Sequence, residues 1–332
     1  MNRCQDTRLN SSSDTRGREC IVTSAIIALY TFRRENLFGK ILQFKPAATK
    51  EVRHEKMLSL LAVLATVSLM SPSYAATGPI FTAAEQIESS FIAKEPYPLP
   101  SQEIPGLTID TAYDIKAEFV KMREQRGEDV MGYKAGFTSA DAQKKFGVPE
   151  PAWGTLFKSM FRWPGTLYQK DFGQMFIETE IGFRFGNDII EPVKDSETLK
   201  AAVAIVFPAI ELPDIHYANL KMVKGTDIIA ANVLVRKVLV GKACPVGVHD
   251  LDTVTVRLFH NGTEVTCGVV KNALGSQWEA LKWTVNDVIE RGGMIGNGDV
   301  IITGAISKLL PAKPGRYVAD YGEFGTIEFV YR

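Results

Sequence analysis

The chain has 332 residues, 45% of them hydrophobic, with 38 basic residues set against 38 acidic ones. That is an ordinary globular composition. The balance leaves no electrostatic footprint for nucleic acid, no basic stripe is visible, and the length allows one large domain or two small ones.

Residues 1–56 are polar and mixed, and their apolar patch IVTSAIIALY is too short to cross a membrane. Arg53 and Lys56 then precede an apolar run from Leu58 to Met70, followed by Pro72 and the small-x-small triplet Ser73-Tyr74-Ala75. This is the layout of a secretory signal over 57–75, cut after Ala75. Met57 stands at the natural start of such a signal, so residues 1–56 are expected to come from an over-extended start site. The expected product is exported to the periplasm or beyond. It is one domain over 76–332, helical in 76–129 and β-rich in 130–332. No other segment is long and apolar enough to span a bilayer. Two cysteines remain after residue 75, Cys244 and Cys267. They could pair in an oxidising compartment or stay as buried thiols, and they are too few for a Cys-rich zinc site.

A helix is expected from Thr82 to Lys94, broken by the prolines of PYPLPSQEIPG. A second follows, with Thr108 or Asp110 as cap and with Ala112, Ile115, Phe119 and Met122 on one face. After residue 130 the character changes to short strand-like runs: VMGYKAGFT, GTLFKSMF, FIETEIGFRF, AIVFPAIEL, NVLVRKVLVG, TVTVRLFH, TEVTCGVV, DVIITGAI and TIEFVYR. Asn261-Gly262 is the strongest hairpin signal. One long helix, SQWEALKWTVNDVIERGG, interrupts the strands and closes at Gly292-Gly293. Many short strands with few helices describe a β-rich sandwich or barrel with helices at its edges.

Three stretches carry chemistry. In FIETEIGFRF, period-two alternation puts Ile177, Thr179, Ile181, Phe183 and Phe185 on a core face, and Glu178, Glu180 and Arg184 on the other. Two adjacent carboxylates repel unless a cation or protons sit between them. The plainer alternative is a half-solvated strand with Arg184 as partner. In AAVAIVFPAIEL, Glu211 interrupts an apolar run, which is costly unless it is paired or binds a metal. A salt bridge to a lysine is the competing explanation. Three oxygen donors suit a hard divalent cation, Mg²⁺ or Mn²⁺, with Ca²⁺ also admissible. His216, His249 and His260 show no zinc-ligand spacing. In MGYKAGFT, Lys134 lies among glycines that permit close approach. Desolvated near a metal, its pKa would fall and it could move protons. A snorkelling surface lysine is the commoner fate of such a residue. There is no G-x-S-x-G elbow, no P-loop and no G-x-G-x-x-G after a strand. GGMIGNGD follows a helix and reads as a turn.

GYKAGFT, EPAWGTLF, IETEIGFRF, FPAIEL, DIIAAN and GDVIITGAI, in this order and spacing, resemble the 2-keto-4-pentenoate hydratase group of the fumarylacetoacetate hydrolase superfamily, which includes 4-oxalocrotonate decarboxylases. The resemblance covers roughly residues 80–332. It implies an α+β fold, a mixed β-roll with peripheral helices, and a homo-oligomer. It also implies a divalent metal held by Glu178, Glu180 and Glu211, with Lys134 near a small keto-acid substrate and Thr303, Gly304 and Phe137 contacting that substrate. Two positions depart from the pattern. Ala152 in EPAWG and Ala231 in DIIAAN stand where acids are usual, although Asn232 is kept. Water addition needs a group to activate water, so these changes weigh against hydration more than against metal or keto-acid binding. The sequence therefore supports a metal-dependent hydratase-like lyase, with a keto-acid decarboxylase or C–C hydrolase as alternatives. An exported binding protein that has lost turnover is the competing class.

Overall fold

The computed structural model describes residues 78–332, so the leader at 1–56 and the export signal at 57–75 lie outside the described residues. Helix α1 (Pro79–Ala93) starts on a proline, whose missing N–H costs nothing in a first turn. It stops where Lys94 turns left-handed at φ 58°. Helix α2 (Pro100–Glu103) is a single turn in the proline-rich stretch. Helix α3 (Ile109–Gln125) is capped by Thr108, whose hydroxyl accepts from the Thr111 N–H at 3.1 Å. Its buried face carries Ala112, Ile115 and Phe119 as expected, and also Tyr113, Lys116 and Arg123. Met122 is only partly buried.

In chain order the rest comprises β1 (Val130–Gly136), α4 (Ala140–Phe146), β2 (Ala152–Phe157), β3 (Phe161–Arg162), β4 (Thr166–Leu167), β5 (Phe176–Phe185), α5 (Ser196–Ala202), β6 (Val203–Pro213), α6 (Gly225–Ala230), β7 (Val235–Val240), β8 (Cys244–Pro245), β9 (Thr255–His260), β10 (Thr263–Val269), α7 (Gln277–Glu290), β11 (Val300–Ile302), β12 (Leu310–Pro311), β13 (Gly315–Asp320) and β14 (Thr326–Tyr331). Asn261 and Gly262, at φ 49° and 82°, make the expected tight hairpin between β9 and β10. GTLFKSMF is not one strand, because a 3₁₀ turn at Lys158–Met160 splits it into β2 and β3. NVLVRKVLVG yields a strand only from Val235. Asn232, Val233 and Leu234 are instead left-handed at φ 54°, 50° and 61°.

One sheet runs β2-β1-β11-β5-β6-β7-β3, with β12 attached to β5 and β8 to β6; a second runs β10-β9-β13-β14-β4. Three strand pairs are parallel, β1 with β11, β3 with β7 and β14 with β4, so both sheets are mixed. The alternation read in FIETEIGFRF holds: Ile177, Thr179, Ile181, Phe183 and Phe185 are all buried on one face of β5. Among the described residues, no helix is long and apolar enough to cross a membrane.

Candidate metal centre

Strands β5 and β6 are antiparallel neighbours, and their register sets Glu178 directly opposite Glu211 and Glu180 opposite Ala209. Directly opposed side chains share a face, and so do residues two apart on one strand. Glu178, Glu180 and Glu211 therefore converge, with one carboxylate oxygen of each within 4.8 Å of the others. Hard cations take oxygens at roughly 2.0–2.6 Å, so ligands on opposite sides of one ion stand about 4–5 Å apart. The spacing fits.

Lys134 reaches the same point from β1. Its position pairs with Ile302 of β11, which pairs with Gly182 of β5. Three strand spacings separate β1 from β6, about 14 Å across a flat sheet. Yet Lys134 Nζ donates to both oxygens of Glu211, at 2.9 and 2.8 Å. That contact requires a sheet curled around the site. Gly182 helps by carrying no side chain, since a Cβ there would lie 2.2 Å from the Phe207 ring.

Glu180 and Glu211 are fully buried, Glu178 partly so, and Lys134 is 3% exposed. The solvated-strand alternative fails: Glu180 is sealed from water, and buried Arg184 Nε has no hydrogen-bond partner. The lysine salt bridge proposed as an alternative for Glu211 is present, but inside the same cluster as the other two acids. Burial and then Glu211 push Glu178 up to about 7, against the pull of Lys134. Burial and Glu211 likewise raise Glu180 well above the ordinary carboxylate range. The expected fall in the Lys134 pKa is corrected. Burial alone would lower it, but Glu211, Glu178 and Glu180 together raise it above an ordinary lysine.

Glu180 also offers a direct test of fit for a cation. Its Oε2 accepts from the Gly304 N–H at 2.8 Å, while its buried Oε1 has no partner. An orphaned buried carboxylate oxygen needs an explanation, and an ion supplies one. Gly304 approaches at φ 91°, and a Cβ there would lie 2.5 Å from Thr138 Oγ1. Only glycine makes this turn.

Of the residues expected at the substrate, Thr303 and Gly304 have their polar groups engaged. The Thr303 hydroxyl has the Ile181 carbonyl at 3.1 Å and Gln277 Oε1 within reach. The Gly304 N–H is given to Glu180. Phe137 follows β1 in a left-handed conformation, φ 54°, with its ring 5.5 Å from that of Phe146. Ala152 and Ala231, at the two positions where acids were expected, are buried. Asn232 pairs with the Thr155 backbone, accepting from its N–H at 2.6 Å and donating to its carbonyl at 2.9 Å. The left-handed turn around it places Val233 over Gly136, where a Cβ would meet Val233 Cγ1 at 2.5 Å and Lys134 Nζ at 3.7 Å. A β-branched residue held left-handed stores on the order of 1–3 kcal/mol of strain. Sequence reasoning missed two features here, the left-handed turn and the buried Gln277. The turn reads as an aliphatic strand, and one glutamine at a helix start carries no signal.

A curled mixed sheet with three convergent carboxylates in its hollow defines the class: a fumarylacetoacetate hydrolase-like fold with a candidate cation site. No protein-family model matches the chain. It is 30% identical to the 4-oxalocrotonate decarboxylase of Pseudomonas sp. (strain CF600), over 71% of this chain and 90% of that one. It is 29% identical to the 2-keto-4-pentenoate hydratase of Paraburkholderia xenovorans (strain LB400), over 70% and 87%. The solved 4-oxalocrotonate decarboxylase of Pseudomonas putida G7, complexed with magnesium and adipate, superposes with a TM-score of 0.73 at 26% identity, covering 76% of this chain and 97% of that one. The chain belongs to the 2-keto-4-pentenoate hydratase and 4-oxalocrotonate decarboxylase group of the fumarylacetoacetate hydrolase superfamily. It is a hydratase-like lyase.

Proposed function

We propose that the chain acts on a small 2-keto or 2-hydroxydienoic acid through an enolate, with Glu178, Glu180 and Glu211 holding a divalent cation and Lys134 moving the proton. The observation that supports this reading best is the convergence of three buried carboxylates on one point with a single lysine clamped to one of them. When bound, the cation supplies Lewis-acid stabilisation of the enolate oxygen. Glu211 holds the Lys134 ammonium in place, so Nζ carries a proton ready for the substrate carbon skeleton. Val233 and Gly136 pack beside Nζ and limit the room for water there. Relatives that bind magnesium or calcium support the cofactor.

Hydration is the reading closest to the curated hydratases, which include a 2-hydroxyhexa-2,4-dienoate hydratase from Comamonas testosteroni. Decarboxylation is the second reading, favoured by buried Ala152 and Ala231 at the positions where acids were expected. Decarboxylation needs mainly an electron sink, whereas hydration also needs an activated water. The deciding experiment is calorimetric binding of oxalate, a planar enolate mimic, with and without Mg²⁺, followed by assay of a 2-hydroxydienoate and a vinylogous keto diacid. Mg²⁺-dependent binding with turnover of either acid supports the reading. Binding without turnover of any dienoate would leave a binding protein, and no binding would remove the enolate chemistry. Export with cleavage after Ala75, and self-association, belong to the same proposal. N-terminal sequencing of the native protein and light scattering test them.

A further inference from the structure

We propose that Gln277 is a positioning residue for the metal centre, acting through Thr303 and the Gly304 N–H on Glu180. The inference rests on the assignment of Glu180 as a metal ligand.

Gln277 is the first residue of α7 and is fully buried, although a buried amide must find partners at both ends. Its Nε2 donates to the Val270 carbonyl at 2.7 Å. That contact fixes the orientation of the amide and turns Oε1 towards the Thr303 hydroxyl, which donates to it. Thr303 is held from the other side by its own N–H, which donates to the Ile181 carbonyl of β5 at 3.2 Å. The following peptide unit is planar, so the direction of the Gly304 N–H is set by the backbone of Thr303. It points at Glu180 Oε2, 2.8 Å away. Glu180 is thereby held by one oxygen, and its other oxygen, Oε1, is left without a hydrogen-bond partner.

Folding alone gives little reason for this pair. Two buried polar partners replaced together by apolar groups of like shape usually leave stability near neutral. A ligand's orientation, by contrast, is sensitive to its outer hydrogen bonds, whose loss costs roughly 10–100-fold in metal affinity.

The test is calorimetric titration of the metal-free full chain with Mg²⁺ and Mn²⁺, alongside thermal unfolding. Gln277→Leu and Thr303→Val are each expected to weaken metal binding about 10–100-fold, with the double variant no worse than the weaker single one. Thr303→Ser, which keeps the hydroxyl, is expected to retain affinity. If the wild type binds neither ion, the metal centre itself is wrong and the proposal falls with it. If the wild type binds and both folded single variants bind within about twofold of it, the relay alone is overturned and the centre stands. Should Gln277→Leu fail to fold, the contrast between Thr303→Val and Thr303→Ser decides alone: equal affinities overturn the relay, and a loss confined to valine supports it.

Discussion

Two of the buried charge clusters among the described residues differ in their balance. Between α1 and α3, Glu88 meets Arg123 at 3.4 Å and Arg126 at 3.1 Å, while Arg123 meets Glu128 at 2.6 Å. Two carboxylates there face two guanidiniums, so the charges balance, although buried Glu88 Oε2 and Arg123 Nε have no hydrogen-bond partner. In the hollow of the curled sheet, three carboxylates face one ammonium. Burying an uncompensated charge costs several kcal/mol. A cluster that only holds the fold together has every reason to balance. The deficit beside Lys134 is what a divalent cation, or bound protons, would fill. Balance, more than burial, separates the structural cluster from the functional one.

The largest expected effect breaks the deficit directly. Glu211→Gln keeps the side-chain shape but removes one of three donors. Metal binding should fall below calorimetric detection, with thermal unfolding close to wild type because Lys134 still faces Glu178 and Glu180. Retained affinity would take Glu211 out of the cage. Lys134→Met is the complementary variant: metal binding should persist while dienoate turnover is lost.

Arg123→Ala attacks the balanced cluster. It leaves Glu88 with only the exposed Arg126, takes away the arginine partner of Glu128, and removes the guanidinium lying 4.7 Å from the Phe91 ring centroid. Breaking a buried pair costs about 3–5 kcal/mol, on the order of 10 °C in Tm for a chain of this size. Metal affinity measured below the transition should match wild type. A metal defect in this variant would mean the two clusters are coupled.

The comparison also predicts opposite responses to pH with and without metal. In the cation-free protein Glu178 titrates at about 7 instead of 4.5. A carboxyl raised in the folded state contributes stability that is fully present below about pH 4.5 and is lost as pH rises through about 7. Tm of the chelator-treated protein should therefore fall between pH 5 and pH 7.5. Added Mg²⁺ should restore it most at the upper end, because the ion binds the deprotonated carboxylates and displaces their protons. A flat chelator-treated profile would show that the acids are not crowded as the structure has them.

The contrast explains how much was legible in the sequence. FIETEIGFRF and FPAIEL announced their strands and acids because an apolar run makes a lone carboxylate conspicuous. The pairing of Glu178 with Glu211 was visible only through the resemblance, since register is set by the whole sheet. The reach of Lys134 depends on sheet curl, which no local pattern encodes. Its raised pKa was missed because desolvation was weighed without three facing carboxylates. Val233 and Leu234 read as strand because aliphatic character says nothing about φ, and Asn232 forces the turn through a tertiary contact with Thr155. The balanced Glu88 cluster went unnoticed for the opposite reason. Charged residues on helices are ordinary, and their burial emerges only when α1 and α3 pack.

The smallest expected effect sharpens the comparison at its edge. Arg126 touches Glu88 but is itself 60% exposed, so its ion pair is largely screened. Arg126→Ala should cost about 1 kcal/mol or less. Burial already raises the Glu88 pKa against the pull of Arg123 and Arg126. Removing one arginine raises it further, so the destabilisation should appear near neutral pH and fade in acid, where Glu88 is protonated in both proteins. Chemical denaturation at pH 7 and pH 4 reads the difference. A loss that persists unchanged at pH 4 would assign the effect of Arg126 to packing of its hydrocarbon stem, and Glu88 would then be balanced by Arg123 alone.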